Sequence, residues 1–272
     1  MDYAKELYHY TDLEALHGII CNKELWLGNI SNMNDKSEAI GYLNNITVQI
    51  QKRFSDKRIL RYIRFYSKLS DMQKELNPFA LCFSANEDDA GMWERYANNA
   101  RGVCIGFNRE FLEKIFEGSE FYLINENYNL DIESDLLDSI ENLLSLDGTN
   151  DDAEIELMGQ ILLKACSHKH GGFKSEKEIR LVTLYPDFLD EKYEEIEISV
   201  NKDRIKRILK IKLKEYCKIH NFSEEDLKNN LIKSIIVGPR SQQNISDLKW
   251  YLRKNGYINL AENVYFSNCP LR

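Results

Sequence analysis

The sequence predicts an α+β fold, and three observations carry that reading. Short apolar, strand-like runs cluster toward both ends of the chain, and long amphipathic helical stretches lie between them. No Pro/Gly/Ser-rich linker divides the 272 residues, which include only 4 prolines. A regular βαβ series would alternate strands and helices along the whole length, and this chain does not. With 43% hydrophobic residues the chain has material for one sizeable core, burying roughly three quarters of its unfolded surface. The expectation is one domain over residues 1–272, with helical insertions at about 36–76 and 131–166.

The elements follow in order. Leu7–Tyr10 reads as a strand. Thr11-Asp12-Leu13-Glu14 reads as a capping box opening a helix whose buried stripe is Leu13, Leu16, Ile19 and Ile20. Glu24–Gly28 is a second strand, followed by the polar loop NISNMND. Asp35 and Glu38 form another capping box, starting helical material that runs to about Leu76. Phe79–Ser84 is a strand bounded by Pro78, and Asp88 or Asp89 caps a short helix through Met92, Trp93 and Tyr96. Arg101 and Gly102 turn the chain into the strand Val103–Phe107, and Asn108 caps the next helix. Helical pattern runs from Asp131 to about Cys166, broken at residues 147–150. Gly171 and Gly172 precede the strand Glu178–Thr183. Glu194–Val200 alternates like a strand, and Ser234–Gly238 is another, stopped by Pro239. A helix over about 243–255 and a short strand at 264–266 complete the chain.

Composition excludes several classes. The net charge is -8, which disfavours generic duplex-DNA binding. No run approaches the roughly 18 apolar residues of a membrane helix, and the N-terminus is unlike a secretory signal. Six cysteines without CxxC spacing read as reduced thiols in a cytoplasmic protein, with Cys82 and Cys104 inside apolar runs. A local basic run, from Lys202 and Arg204 through Lys206, Arg207, Lys210, Lys212 and Lys214, reads as one solvated face of an amphipathic element; a contact to an anionic partner is the alternative.

Three segments carry candidate chemistry. In Leu7–Thr11, alternation turns His9 away from Tyr8 and Tyr10; His9 is either a half-buried histidine bonded to backbone or a donor to a ligand hydroxyl or phosphate. In the second segment, Ser84 ends a strand, and Trp93 and Tyr96 share a helix face, which makes either core or the wall of a pocket for a flat ring. In the third, strand alternation puts Glu176, Glu178 and Arg180 on one face. Two carboxylates so placed repel unless a cation or a function compensates; neutralisation by Arg180 in a structural ion pair is the alternative to a functional role. The spacing of His168 and His170 in HKHGG is a weak metal signal, and the two read as part of a solvated loop.

Taken together, the blocks LYHYT, LWLGNISNMND, LCFSANEDDAGMWERYANNARGVCIGF, FKSEKEIRLV and IKSIIVGPRS resemble, in order, those of the domain-of-unknown-function family 2971. Phe173 stands where that family usually has tryptophan. The family in turn resembles the ADP-ribosyltransferase fold. That resemblance implies a mixed, mostly antiparallel split sheet and NAD as substrate, with no metal. It implies that His9 binds a ribose of NAD, that Ser84 or Tyr96 acts at the nicotinamide end, and that Glu178 is catalytic. Glu176 would complete a Glu-x-Glu turn, while Tyr10, Thr11, Trp93 and Arg180 would line the nucleotide.

The first expectation is therefore an NAD-using ADP-ribosyltransferase-like enzyme or NAD-consuming effector, in antiviral defence or a toxin system, with an acceptor that is protein or nucleic acid. The second is a non-catalytic nucleotide-sensing or interaction module. A metal-dependent hydrolase or nuclease using His9, His168, His170 and the glutamates is the third.

Overall fold

The computed structural model describes residues 4–30, 38–53, 57–128, 132–145, 151–186, 196–200 and 205–271. The expected cap at Asp35, the helix break at 147–150, Lys202 and Arg204, and the start of the strand expected from Glu194 lie outside them.

Among the described residues ten strands form one sheet: β1 Glu6–Thr11, β2 Glu24–Asn29, β3 Leu76–Ser84, β4 Val103–Asn108, β5 Tyr122–Asn125, β6 Glu178–Pro186, β7 Ile196–Val200, β8 Ile205–Lys212, β9 Ile232–Val237 and β10 Val264–Phe266. Their order is β10-β9-β4-β1-β3-β2-β8-β7, with β6 on β3 and β5 on β6. Pairing between these strands is antiparallel except for β10 on β9. The basic run thus lies partly on β8, where alternation buries Leu209 and Ile211. β3 continues past Pro78, contrary to the expected boundary. The registered pairing of β2 with β3 stops at Phe79, so the missing N–H of Pro78 falls beyond that ladder.

The sheet forks on one edge of β3. β6 covers the other edge from Leu76 to Ser84. On the forked edge, β2 pairs at Phe79 and Ala80, while β1 pairs at Ser84 alone. The ladder therefore lapses around Cys82. A carbonyl there needs a partner, and the His9 side chain supplies it: Nδ1 lies 2.8 Å from the Cys82 carbonyl oxygen.

Helices cover both faces. α1 Leu13–His17 runs into a π-helical turn, Gly18–Asn22. Its cap is Asp12, whose carboxylate accepts from the Ala15 N–H at 2.8 Å. Thr11 cannot serve because it is still in the ladder, opposite Val103. α5 Arg109–Phe116, α8 Leu213–Ile219, α9 Glu224–Asn230, α10 Ile245–Lys254 and α11 Ile258–Glu262 pack on the main core, centred on Leu7, Phe83, Ile105, Leu181, Ile235 and Leu252. The two predicted insertions are α2 Glu38–Arg53 with α3 Lys57–Glu75, and α6 Ser134–Ser145 with α7 Asp151–Cys166. Though distant in sequence, they share a core of their own, built on Ile46, Ile50, Phe65, Ile140, Met158 and Ile161. On the face opposite the main core, α4 Ala90–Tyr96 packs Met92 and Trp93 against Tyr10, Cys104 and Ile236. Among the described residues no helix is long and apolar enough to cross a membrane, and the six cysteines are free thiols.

The chain leaves α4 through three residues of positive φ, Asn98, Asn99 and Ala100, and enters β4 at Gly102. A Cβ built on Gly102 would lie 2.0 Å from the Thr11 carbonyl oxygen, so the two backbones would have to separate. Gly102→Ala is expected to cost about 2–4 kcal/mol, lowering Tm by roughly 5 °C or more in calorimetry. Gly28→Ala, where nothing lies within 4 Å, is the matched control and should change Tm little.

Candidate active site

Tyr8, Ser84 and Glu178 form one row across β1, β3 and β6. Directly paired residues on antiparallel strands project to the same side, so this row belongs to the face that carries α4. Cys82 and Arg180 form the next row along. Glu178 is 6% exposed and Arg180 1%.

Glu176 is not on the strand, as simple alternation had suggested. It ends a 3-10 turn, Gly171–Glu176, and Lys177 between the two glutamates takes a left-handed conformation with φ 43°. That kink still brings the two carboxylates to one cation. Lys169, 6% exposed, donates to Glu176 Oε2 at 2.7 Å and to Glu178 Oε2. Arg180 Nε lies 2.8 Å from Glu178 Oε1 and 3.1 Å from Glu126 Oε1. Its Nη1 donates to the Cys166 carbonyl at 2.8 Å. Glu176 Oε1 accepts from Arg95 Nη1 at 2.7 Å and from the Tyr96 hydroxyl at 2.9 Å. The result is a buried cluster of three carboxylates and three cations.

The electrostatics follow from this geometry. Burial opposes ionisation of Glu178, but Arg180 and Lys169 outweigh it and hold its carboxyl below the usual range. Burial likewise opposes the charge on Lys169, and Glu178 with Glu176 reverses that, raising its pKa. Burial, then the Glu176 charge, pushes Tyr96 up to about 12, so it is a neutral donor. Tyr128, also pushed up to about 12 chiefly by burial, accepts the Glu178 N–H at 2.7 Å.

The structure gathers Ser84, Tyr96, Glu176, Glu178 and Arg180 and separates the rest. His9 leaves its strand on the side opposite the Tyr8–Ser84–Glu178 row, with its ring edge-on to Phe83 at 6.0 Å. It does not converge with Glu178. Burial lowers its pKa, so the ring is neutral. Nδ1 then carries the proton given to the Cys82 carbonyl, and Nε2 is an acceptor. Ser84 is fully buried; its hydroxyl donates to the Glu176 carbonyl at 2.6 Å and accepts from Asn86 N–H at 2.9 Å. It holds the Glu176 turn rather than facing a ligand. Trp93 is fully buried, with Nε1 bonded to Asp88 at 2.5 Å and its ring against Tyr10 at 5.0 Å. Both are core and not a pocket wall. Thr11 is occupied in the ladder.

His168, expected in a solvated loop, is 4% exposed and packs on the Tyr42 ring at 5.6 Å. His170 is exposed and caps the 3-10 turn through Gly172 N–H. Among the described residues no three His, Cys, Asp or Glu are arranged to hold a metal ion. A separate cavity of about 280 Å³ lies along β8, lined by Glu24, Phe121, Glu197, Lys210, Lys212 and Tyr216. There Lys210 pairs with Glu197 at 2.6 Å and covers the Trp26 ring at 4.5 Å. That lysine of the basic run is therefore neutralised.

Lys169, the centre of the cluster, went unread in the sequence, where HKHGG drew attention only to its histidines. The local signal is a charge imbalance: Glu176 and Glu178 carry two negative charges and Arg180 one positive.

Residues 92–181 match a family described as "Protein of unknown function (DUF2971)". The match spans about a third of the chain and takes in Arg95, Tyr96, Glu126, Lys169, Glu176, Glu178 and Arg180, but neither His9 nor Ser84. No curated protein and no solved structure matches the chain.

Removing Lys169 would leave two buried carboxylates facing each other. Lys169→Met is expected to cost about 3–5 kcal/mol, roughly 10 °C in Tm, whereas Lys114→Ala, at an exposed pair with Glu110, should have no measurable effect. The pH dependence has a definite sign. Glu178 is lowered in the folded state, so its contribution is full above the unfolded value of about 4.3 and is lost as pH falls through the folded value. Lys169 is raised, so its contribution is full below about 10.4 and is lost as pH climbs through the folded value. Urea unfolding across pH should therefore show a steeper acid-side loss in wild type than in Glu178→Gln.

Proposed function

We propose that this chain transfers ADP-ribose from NAD, with Glu178 stabilising the ribosyl cation formed as the nicotinamide bond breaks. One observation carries the reading: a carboxylate held ionised in a desolvated site, on a strand whose neighbours Ile179 and Leu181 are anchored in the main core. Such a group meets developing positive charge without reorganising. The split of the sheet at β3 and the resemblance of the EKEIRLV block to the Glu-x-Glu turn support it.

In this reading the C1′–N bond breaks and nicotinamide leaves with the electron pair. The ribosyl cation is captured by an acceptor nucleophile, which surrenders a proton, as in glycoside cleavage. Glu178 stabilises the cation, and Glu176 aims the acceptor. Arg95, with a side chain 41% exposed, forms the outer wall of Glu176 with Tyr96 and must yield to a ligand. The neutral His9 projects from the opposite face of the sheet, against Phe83, so in this reading it takes no part at the ribose that Glu178 serves.

A second reading is a non-catalytic nucleotide-sensing or interaction module, and a specific observation favours it. The four oxygens of Glu176 and Glu178 are all engaged by Lys169, Arg180, Arg95 and Tyr96, and His9 points elsewhere. Nicotinamide release separates the two. Glu178→Gln should lower it by about 10²–10³ per folded molecule, with folding monitored by circular dichroism on the same preparation. Wild-type protein that binds NAD without releasing nicotinamide would select the module. Wild-type protein that does neither, with acceptors present, would end the NAD assignment.

A further inference from the structure

A second cluster of reactive groups lies away from the carboxylates, at the seam between α1 and α10. Cys21 sits in the π-helical turn Gly18–Asn22, a rare local geometry that recurs at functional sites. Its Sγ is 3.2 Å from the Tyr251 hydroxyl and 3.6 Å from His17 Nδ1. The Tyr251 hydroxyl and His17 Nδ1 are themselves 2.9 Å apart. Asn255 anchors its amide by donating from Nδ2 to the Tyr251 carbonyl at 2.9 Å, which leaves Oδ1 to accept from the Cys21 thiol at 3.5 Å. Three side chains thus converge on the Cys21 sulfur: an imidazole that can take its proton, a hydroxyl that can donate to a thiolate, and an amide that orients the thiol.

We infer that Cys21 is a modification site, a nucleophilic thiol that exchanges with small-molecule disulfides. The Cys21 proton passes to His17 Nδ1, and the thiolate accepts hydrogen bonds from His17 and Tyr251. The thiolate attacks one sulfur of the disulfide RS–SR. A Cys21–SR bond forms and the RS–SR bond breaks. The leaving thiolate RS⁻ takes the proton from His17 and departs as RSH. Cys21 is oxidised and the released half of the reagent is reduced, so no other oxidant enters. Tyr251 is suited to remain a donor, since burial and then its bond to Cys21 raise its pKa.

The other thiols lack this setting. Cys104, Cys166 and Cys217 are buried. Cys82 and Cys269 are partly exposed, but burial raises the pKa of both, whereas at Cys21 a histidine ring meets the sulfur. The adduct at Cys21 would occupy the space between α1 and α10, whose Leu248 and Leu252 belong to the main core.

The test is exposure of the full chain to glutathione disulfide at neutral pH, with modified cysteines ranked by peptide mass spectrometry at low conversion. Cys21 should be modified first. His17→Ala and Tyr251→Phe should each slow Cys21 about 10-fold or more, the order expected for loss of one hydrogen bond to a charged group, and leave the rate at Cys269 unchanged. Modification of Cys82 or Cys269 ahead of Cys21 in wild type overturns the inference, whether or not a variant folds. An unchanged Cys21 rate in folded Tyr251→Phe and His17→Ala, or His17→Gln where alanine is not tolerated, overturns it as well.

Discussion

The ammonium of Lys169 between Glu176 and Glu178 is the contact around which the polar face of this protein is organised. Without it, two carboxylates would share a site from which water is almost excluded, and their repulsion would oppose ionisation of both together. With it, they can be held on opposite flanks of one kinked residue, Lys177. The remaining bonds are consequences: Arg180 takes the far oxygen of Glu178, and Arg95 and Tyr96 take the far oxygen of Glu176. Ion pairs this deep are weak evidence for added stability. Their clearer effect is to fix charge in place.

Charge fixed in place is useful only if the backbone beneath it is rigid, and the fork of the sheet provides that. β3 is covered on one edge by β6 along its length, and its other edge is divided between β2 and β1. His9 bridges the interval through the Cys82 carbonyl, one row from Glu178. The histidine and the glutamate are thus linked through β3 rather than by a shared cavity. Ser84 does similar work, tying the end of β3 to the turn that carries Glu176.

Much of the fold was legible in the sequence because its signals were local. The apolar runs at Val103–Phe107 and Ser234–Gly238 are central strands, and Asp89 and Asn108 cap the helices they precede. What escaped was set by partners distant in the chain. β5 is a strand through its pairing with β6, and β3 runs through Pro78 because the β2 ladder stops beside it. The aromatic stripe at Trp93 became core because Asp88, Tyr10 and Cys104 close over it. The carboxylates were recognised as a pair needing compensation, but alternation could not reveal that Lys169 would fold back from the end of α7 to meet them.

The central claim is that a nucleotide acts at this cluster, and hydrogen–deuterium exchange with and without NAD tests it most directly. The account predicts that NAD changes exchange at residues 90–97 and 169–180, where Arg95, Tyr96, Lys169 and both glutamates reside, with little change along β8. Unaltered exchange in those segments at saturating NAD, or a change confined to the cavity along β8, would contradict it.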